Sequence, residues 1–173
     1  MDLIASFSSQ QVHAFHFFKI TGLINNQIMN FLFDSGAAYS IVGINHLVKA
    51  GDVKNKERVI DRMRQGFIEE ARVQGISERK EKLRAANNEP IITYPCVCHN
   101  VSIEGSAAID FYFDFSLTEI NLPLLGGSFM NDCSYSHPVG GSVIVSGMTD
   151  RPGTEMYRGL HVVDFRKMTD RII

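Results

Sequence analysis

Residues Phe31 to Val42, FLFDSGAAYSIV, constrain the fold more than any other stretch of this chain. An apolar run leads directly into Asp34, the small residues Ser35, Gly36, Ala37 and Ala38 follow, and a second β-prone run begins at Tyr39. The order reads as strand, tight turn, strand. Glycine and alanine leave space around the turn, so a substrate backbone or a second protein chain can approach the Asp34 carboxylate closely. The acid is presented, not merely solvated.

A chain of 173 residues is the size of one domain and long enough for a sizeable core. Hydrophobic residues at 45% against 21% charged point to a globular protein and exclude a disordered one. The net charge of -2 gives nucleic acid and anionic membrane no electrostatic handle. The opening MDLIASFSSQQVHAFHFFKI has no basic n-region, no sustained apolar h-region and no small-x-small processing site, so it does not read as a signal peptide. No window has the apolar length a membrane span needs. Three cysteines, an odd number, agree with a reducing compartment, and the expectation is a soluble cytoplasmic protein.

Alternation at Val12, Ala14, His16, Phe18 and Ile20 predicts a half-buried strand over residues 9 to 20, and Ile24 with Ile28 to Phe33 continues it as a hairpin turning at Asn25-Asn26. After a strand at Tyr39 to Val42, Ile44 to Ala50 reads as a short helix ended by Gly51. The composition then turns to charge over about 52–88. Within it Val59, Met63, Phe67 and Ala71 recur at helical spacing with Ile60 and Ile68 beside them, predicting an amphipathic helix laid on the rest by a thin apolar stripe. Ile91 to Val101 and Ala107 to Phe115 read as strands about a Glu104-Gly105-Ser106 turn. Leu124-Leu125-Gly126 leads into a short helix to about Cys133, and Val143 to Val145 and Leu160 to Phe165 read as further strands. The expected organisation is one mostly β domain over 1–173 with a helical insertion.

The pattern resembles the retropepsins, the retroviral-type aspartic proteases and their cellular relatives. Asp34-Ser35-Gly36-Ala37 matches the family's Asp-Thr/Ser-Gly-Ala position for position, Ile20 to Phe33 resembles its opening hairpin, and Leu122 to Met130 (LPLLGGSFM) resembles its second signature. The resemblance implies a closed, barrel-like acid-protease half-fold and an aspartic endopeptidase that needs no metal and no organic cofactor. Catalysis by this route takes two carboxylates sharing a proton. One DSG in a chain of this length therefore implies a homodimer contributing Asp34 from each copy. It further implies that Ser35 locks the two turns, that Gly36 and Ala37 border catalysis and substrate backbone with Ala38 beside them, and that Leu124, Leu125 and Gly126 line the apolar pocket. Val73 to Ser77, with Gly75 and Ile76, resembles the tip of the mobile flap, while a helix-ending role for Gly75 and a second flap candidate at Ile103 to Ala108 stay open. Where viral members carry an Asp–Arg pair this chain has Ala38 and Gly127, both halves missing together, and Ser128 stands where many cellular members have Asp.

Other chemistries have less behind them. Cys96, Cys98 and His99, with Cys133 and His137 later, permit a zinc site to be drawn, without the paired CxxC knuckle of structural zinc modules. There is no phosphate loop, because Leu125-Gly126-Gly127-Ser128 lacks both the spacing and the lysine. The rival to a protease is a non-proteolytic or latent module of the same fold that binds peptide or protein partners through its groove or a strand edge.

Overall fold

The computed structural model describes residues 6–84, 87–106 and 108–173. Ala107, the expected start of one strand, lies outside the described residues. The strands are β1 (Phe7–Ser8), β2 (Gln10–Val12), β3 (Phe15–Thr21), β4 (Ile28–Phe33), β5 (Ile41–Gly43), β6 (Leu83–Arg84), β7 (Pro90–Ile91), β8 (Thr93–Ile103), β9 (Ile109–Ser116), β10 (Leu124–Leu125), β11 (Ser134–Ser136), β12 (Ile144–Ser146) and β13 (Val163–Asp164). The α-helices are α1 (Lys56–Gln74), α2 (Gly127–Met130) and α3 (Phe165–Ile172), with 3-10 turns at Ile44–Leu47, Ala50–Asn55 and Thr154–Tyr157.

An eight-stranded mixed sheet in the order β13-β8-β9-β5-β10-β4-β3-β2 dominates the molecule. β3 also pairs with β8, through Ile20–Ile103 and Thr21–Ser102, so the order returns on itself. That join is narrow, and the fold is a large mixed sheet rather than a barrel of full-length pairings. A three-stranded sheet, β1-β12-β11, lies beside it, and Tyr135 of β11 meets Phe33 at the end of β4 with ring centroids 5.8 Å apart. The strand foreseen at residues 9 to 20 is two: His13, in the left-handed region at φ 56°, turns β2 back onto β3.

The core follows from alternation. Phe18, Ile20, Phe31, Phe111, Phe113 and Phe115 point to one side of their strands and are buried there. α1 joins that core, as its apolar stripe foretells. Val59, Ile60, Met63, Phe67 and Ala71 are buried, and the Phe67 ring lies 4.8 Å from Phe115. Ile68, expected beside the stripe, is 48% exposed.

Two further segments differ from expectation. The segment foreseen as a strand from Leu160 to Phe165 is a strand only at Val163–Asp164 and becomes helix at Phe165. The reason is local: the Asp164 carboxylate accepts the free backbone N–H groups of Arg166 and Lys167 and caps α3. At Val73 to Ser77 there is no hairpin. Residues 73 and 74 close α1, Gly75 at φ 69° is its left-handed cap, and the Ile76 N–H donates to the Ala71 carbonyl.

Candidate active site

Asp34 leaves β4 half-buried, while Ser35, Gly36 and Ala38 are exposed. Its backbone N–H donates to the Leu125 carbonyl at 3.0 Å, and its carbonyl accepts from the Ala37 N–H at 3.2 Å. The Gly36 N–H donates to Oδ1 at 3.0 Å. This side-chain turn fixes the carboxylate's direction. Among the described residues this is the one side-chain hydrogen bond to the Asp34 carboxylate, and it is made through Oδ1.

The turn is held from behind by the segment Leu124–Ser128. β10 inserts between β4 and β5, parallel to β4 through Leu124–Leu32 and Leu125–Phe33 and antiparallel to β5 through Leu124–Ile41. Beyond it the Gly127 N–H donates to the Ala37 carbonyl at 2.7 Å and the Ser128 N–H to the Ala38 carbonyl at 2.8 Å. Ser40 and Ser128, both buried, complete the stitching. The Gly126 N–H donates to Ser40 Oγ at 3.1 Å, and the Ser40 N–H donates to Ser128 Oγ at 2.9 Å. Ser128, a departure in the sequence, thus satisfies a buried amide that an apolar residue would leave unpaired. Position 126 must be glycine for space: a Cβ there would stand 2.7 Å from the Tyr39 carbonyl carbon and 2.8 Å from the Ala37 oxygen, and closer still to the Tyr39 oxygen.

Asp34, Ser35, Gly36, Ala37, Ala38, Leu124, Leu125 and Gly126 therefore come together. Leu125 is fully buried in the core, so it supports the turn from inside, and Leu124, half-buried, is the accessible member of the pair. Gly75 and Ile76 belong to the end of α1, with Ile76 packed against the core. In the second flap candidate, Ile103 to Ala108, of which Ala107 lies outside the described residues, Glu104 is tied to β3: its N–H donates to the Lys19 carbonyl at 2.8 Å and the Lys19 N–H donates to Glu104 Oε1 at 2.7 Å. The short hairpin ahead of β8 is instead β6 with β7, where Leu83 pairs Ile91 and Arg84 pairs Pro90.

Directly behind Tyr39 and Ser40 lies a buried ion pair that sequence reading missed. Asp114, with no exposed surface, accepts from Arg79 Nε at 2.6 Å, Arg79 Nη2 at 2.7 Å, Thr93 Oγ1 at 2.9 Å and the Tyr157 hydroxyl at 2.7 Å. Burial disfavours the Arg79 cation, but the two bonds and the charge of Asp114 outweigh it and hold the guanidinium protonated. Burial first, and Asp114 next, push the Tyr157 phenol well up, so it stays a donor. Charge inside an otherwise apolar β9 (Asp110 and Asp114 in IDFYFDFS) is the one signal in the sequence, since a carboxylate on a core strand needs a partner.

Cys96 and Cys98 are buried in β8 and Cys133 is half-buried; burial raises all three thiols, that of Cys133 to about 12. Among the described residues no group of three or more His, Cys, Asp or Glu side chains is arranged to hold a metal ion. No helix among them is long and apolar enough to cross a membrane.

No family model matches the chain, and no curated protein matches it. Among solved structures it is similar to a retropepsin-like aspartic protease from Rickettsia conorii, at 12% identity and a TM-score of 0.44, over 84% of this chain and 94% of that one.

Proposed function

We propose that the protein is an aspartic endopeptidase whose active form is a homodimer pairing Asp34 of one copy with Asp34 of a second. The observation that carries this is the Asp34 turn itself: a half-buried carboxylate with Oδ1 held by the Gly36 amide, on a loop of small, exposed residues. Two such carboxylates a few ångströms apart share one proton. The ionised member takes a proton from water as the water oxygen bonds to the scissile carbonyl carbon. The protonated member donates a hydrogen bond to the carbonyl oxygen, which gathers the developing charge. The tetrahedral species then collapses, the C–N bond breaks, and a carboxyl proton passes to the leaving amine nitrogen. No covalent enzyme intermediate forms.

Each neighbouring residue has a part in this scheme. Ser35, whose exposure on the turn supports this part, bonds across the proposed dimer and fixes one turn against the other. Ala37 and Ala38 spend their carbonyls on Gly127 and Ser128, so the turn keeps its shape when substrate arrives. The exposed Ala38 and half-buried Leu124 favour apolar side chains near the cut.

Asp34→Asn tests the scheme, because the amide keeps the shape of the side chain and removes its acid–base function. Wild type is expected to cleave an unstructured protein between acidic and neutral pH, and the variant to be inactive while light scattering shows the same dimer. Cleavage that survives the substitution overturns the proposal, and a confirmed wild-type dimer that cuts nothing favours the peptide-binding alternative.

A further inference from the structure

We propose that Arg79, Asp114 and Tyr157 are positioning residues for Asp34, so that the charged segment after α1 serves the active turn. This rests on the aspartic-protease proposal above. The Asp114 carboxylate is saturated: Oδ1 accepts from Arg79 Nη2 and Tyr157, and Oδ2 from Arg79 Nε and Thr93. The two-pronged contact fixes the plane of the guanidinium. That plane lies against the Tyr39 ring, with the Arg79 carbon 4.3 Å from the centroid, and Tyr157 stands at 5.5 Å.

From there the path to the turn is short and made of backbone. The Asp114 N–H donates to the Ser40 carbonyl at 2.8 Å, so the strand that carries the carboxylate also grips the residue after Tyr39. Ser40 in turn accepts from Gly126 and donates to Ser128, and the N–H groups of Gly127 and Ser128 hold the carbonyls of Ala37 and Ala38. Tyr39 and Ser40 are thus clamped on one side by the buried pair and on the other by the segment that sets the Asp34 backbone. Arg79 itself is fixed, since its N–H donates to the Thr93 carbonyl at 2.8 Å.

A buried ion pair is poor evidence for stability, because well-packed apolar residues of similar size often replace one without loss. Geometry is what such a replacement gives up: apolar side chains fill the space but do not dictate the plane against which Tyr39 rests. Stability and positioning can therefore be separated by substitution.

Two variants make the test, Arg79→Met/Asp114→Leu, which replaces the pair, and Tyr157→Phe, which removes one hydrogen bond and keeps the ring. Each is compared with wild type for melting temperature, dimer mass, kcat, KM and the titration of the Asp34 carboxyl carbon followed by 13C NMR. The expected result is a folded dimer with KM within about threefold, kcat lower by about 10-fold to 100-fold, and a displaced Asp34 titration, the pattern of a misplaced catalytic group. A folded variant whose kcat and Asp34 titration both match wild type overturns the inference. Should the double variant not fold, Tyr157→Phe decides between the same two results. Failure of the protease proposal shows separately, as cleavage retained by Asp34→Asn or absent from wild type. The Asp34 titration then still decides whether the cluster positions that side chain.

Discussion

A single missing methyl group shows how tightly the site is built. Gly126 sits where β10 passes between β4 and β5, and a Cβ would be driven into the main-chain carbonyls of Tyr39 and Ala37. Backbone cannot swing aside as a flexible side chain does. Gly126→Ala is therefore expected to lower stability by about 1–3 kcal/mol or more, as overpacking does, and to cut activity along with it, read from urea denaturation midpoints and cleavage rates. A variant as stable and as active as wild type would show that the two segments are less closely packed than described. Gly127, whose Cβ would meet the Ala38 oxygen at 3.2 Å, has a little more room. At this scale the turn that carries Asp34 was legible, because an apolar run, an acid, four small residues and a second β-prone run read as strand, turn, strand. Asp114 and Arg79 were not. Arg79 stands in SERKEKLR, where its neighbours are solvated charges of the same kind, and its partner is 35 residues away. Only the folded sheet brings the two together.

The elements divide along the same line. β3 was legible because its alternation is set by one buried face, β8 and β9 because they are dense in β-branched and aromatic residues, and α1 because its stripe recurs with helical spacing. The end of α1 was legible as well, through Gly75. The flap resemblance at that place relied on glycine and isoleucine alone, and glycine ends helices as readily as it tips hairpins. Leu160 to Phe165 reads as strand because Val162, Val163 and Phe165 are β-prone, whereas the Asp164 cap starts a helix at Phe165 and counts for more there than propensity. α1 is more than a solvated addition. Phe67, 1% exposed and set against Phe115, is part of the main core, while Ile68 one residue on is 48% exposed. Phe67→Ala should cost about 3–5 kcal/mol and Ile68→Ala no more than about 0.5 kcal/mol in chemical denaturation. Equal costs would mean that α1 does not pack as described.

Two histidines link elements and make them sensitive to acid. His46 Nδ1 accepts the Gly43 N–H at 2.9 Å, fastening the 3-10 turn to β5, and His16 Nδ1 pairs with Ser9 Oγ at 2.9 Å beside the ring of His137. Burial lowers both; His137 adds to the effect at His16, and at His46 the carbonyls of Asn121 and Ile120 oppose it without reversing it. Their folded values lie below the ordinary histidine value of about 6.5, so the unfolded chain takes up protons first as pH falls. The stability they contribute is whole above about pH 6.5 and is lost as pH drops through it toward the lowered values. The urea midpoint should fall between about pH 7.5 and pH 5, and the fall should shrink in His16→Gln/His46→Gln. A midpoint that holds steady or rises over that window contradicts the assignment.

For the molecule as a whole, the decisive feature is what one chain supplies: the Asp34 carboxylate on a turn of small residues, held through Oδ1 and through the backbone. Under the proposed mechanism the second carboxylate has to come from a second chain, and that makes a quantitative demand on mixtures. The most direct test mixes wild type with Asp34→Asn at constant total chain concentration, allows subunits to exchange, and follows cleavage against the wild-type fraction. If every active site needs Asp34 from both copies, activity falls as the square of that fraction, so an equal mixture retains about a quarter of the wild-type rate. An equal mixture that retains about half the rate, as independently acting chains would, or about three quarters, as fully active mixed dimers would, means that one Asp34 is enough and contradicts the paired-carboxylate account.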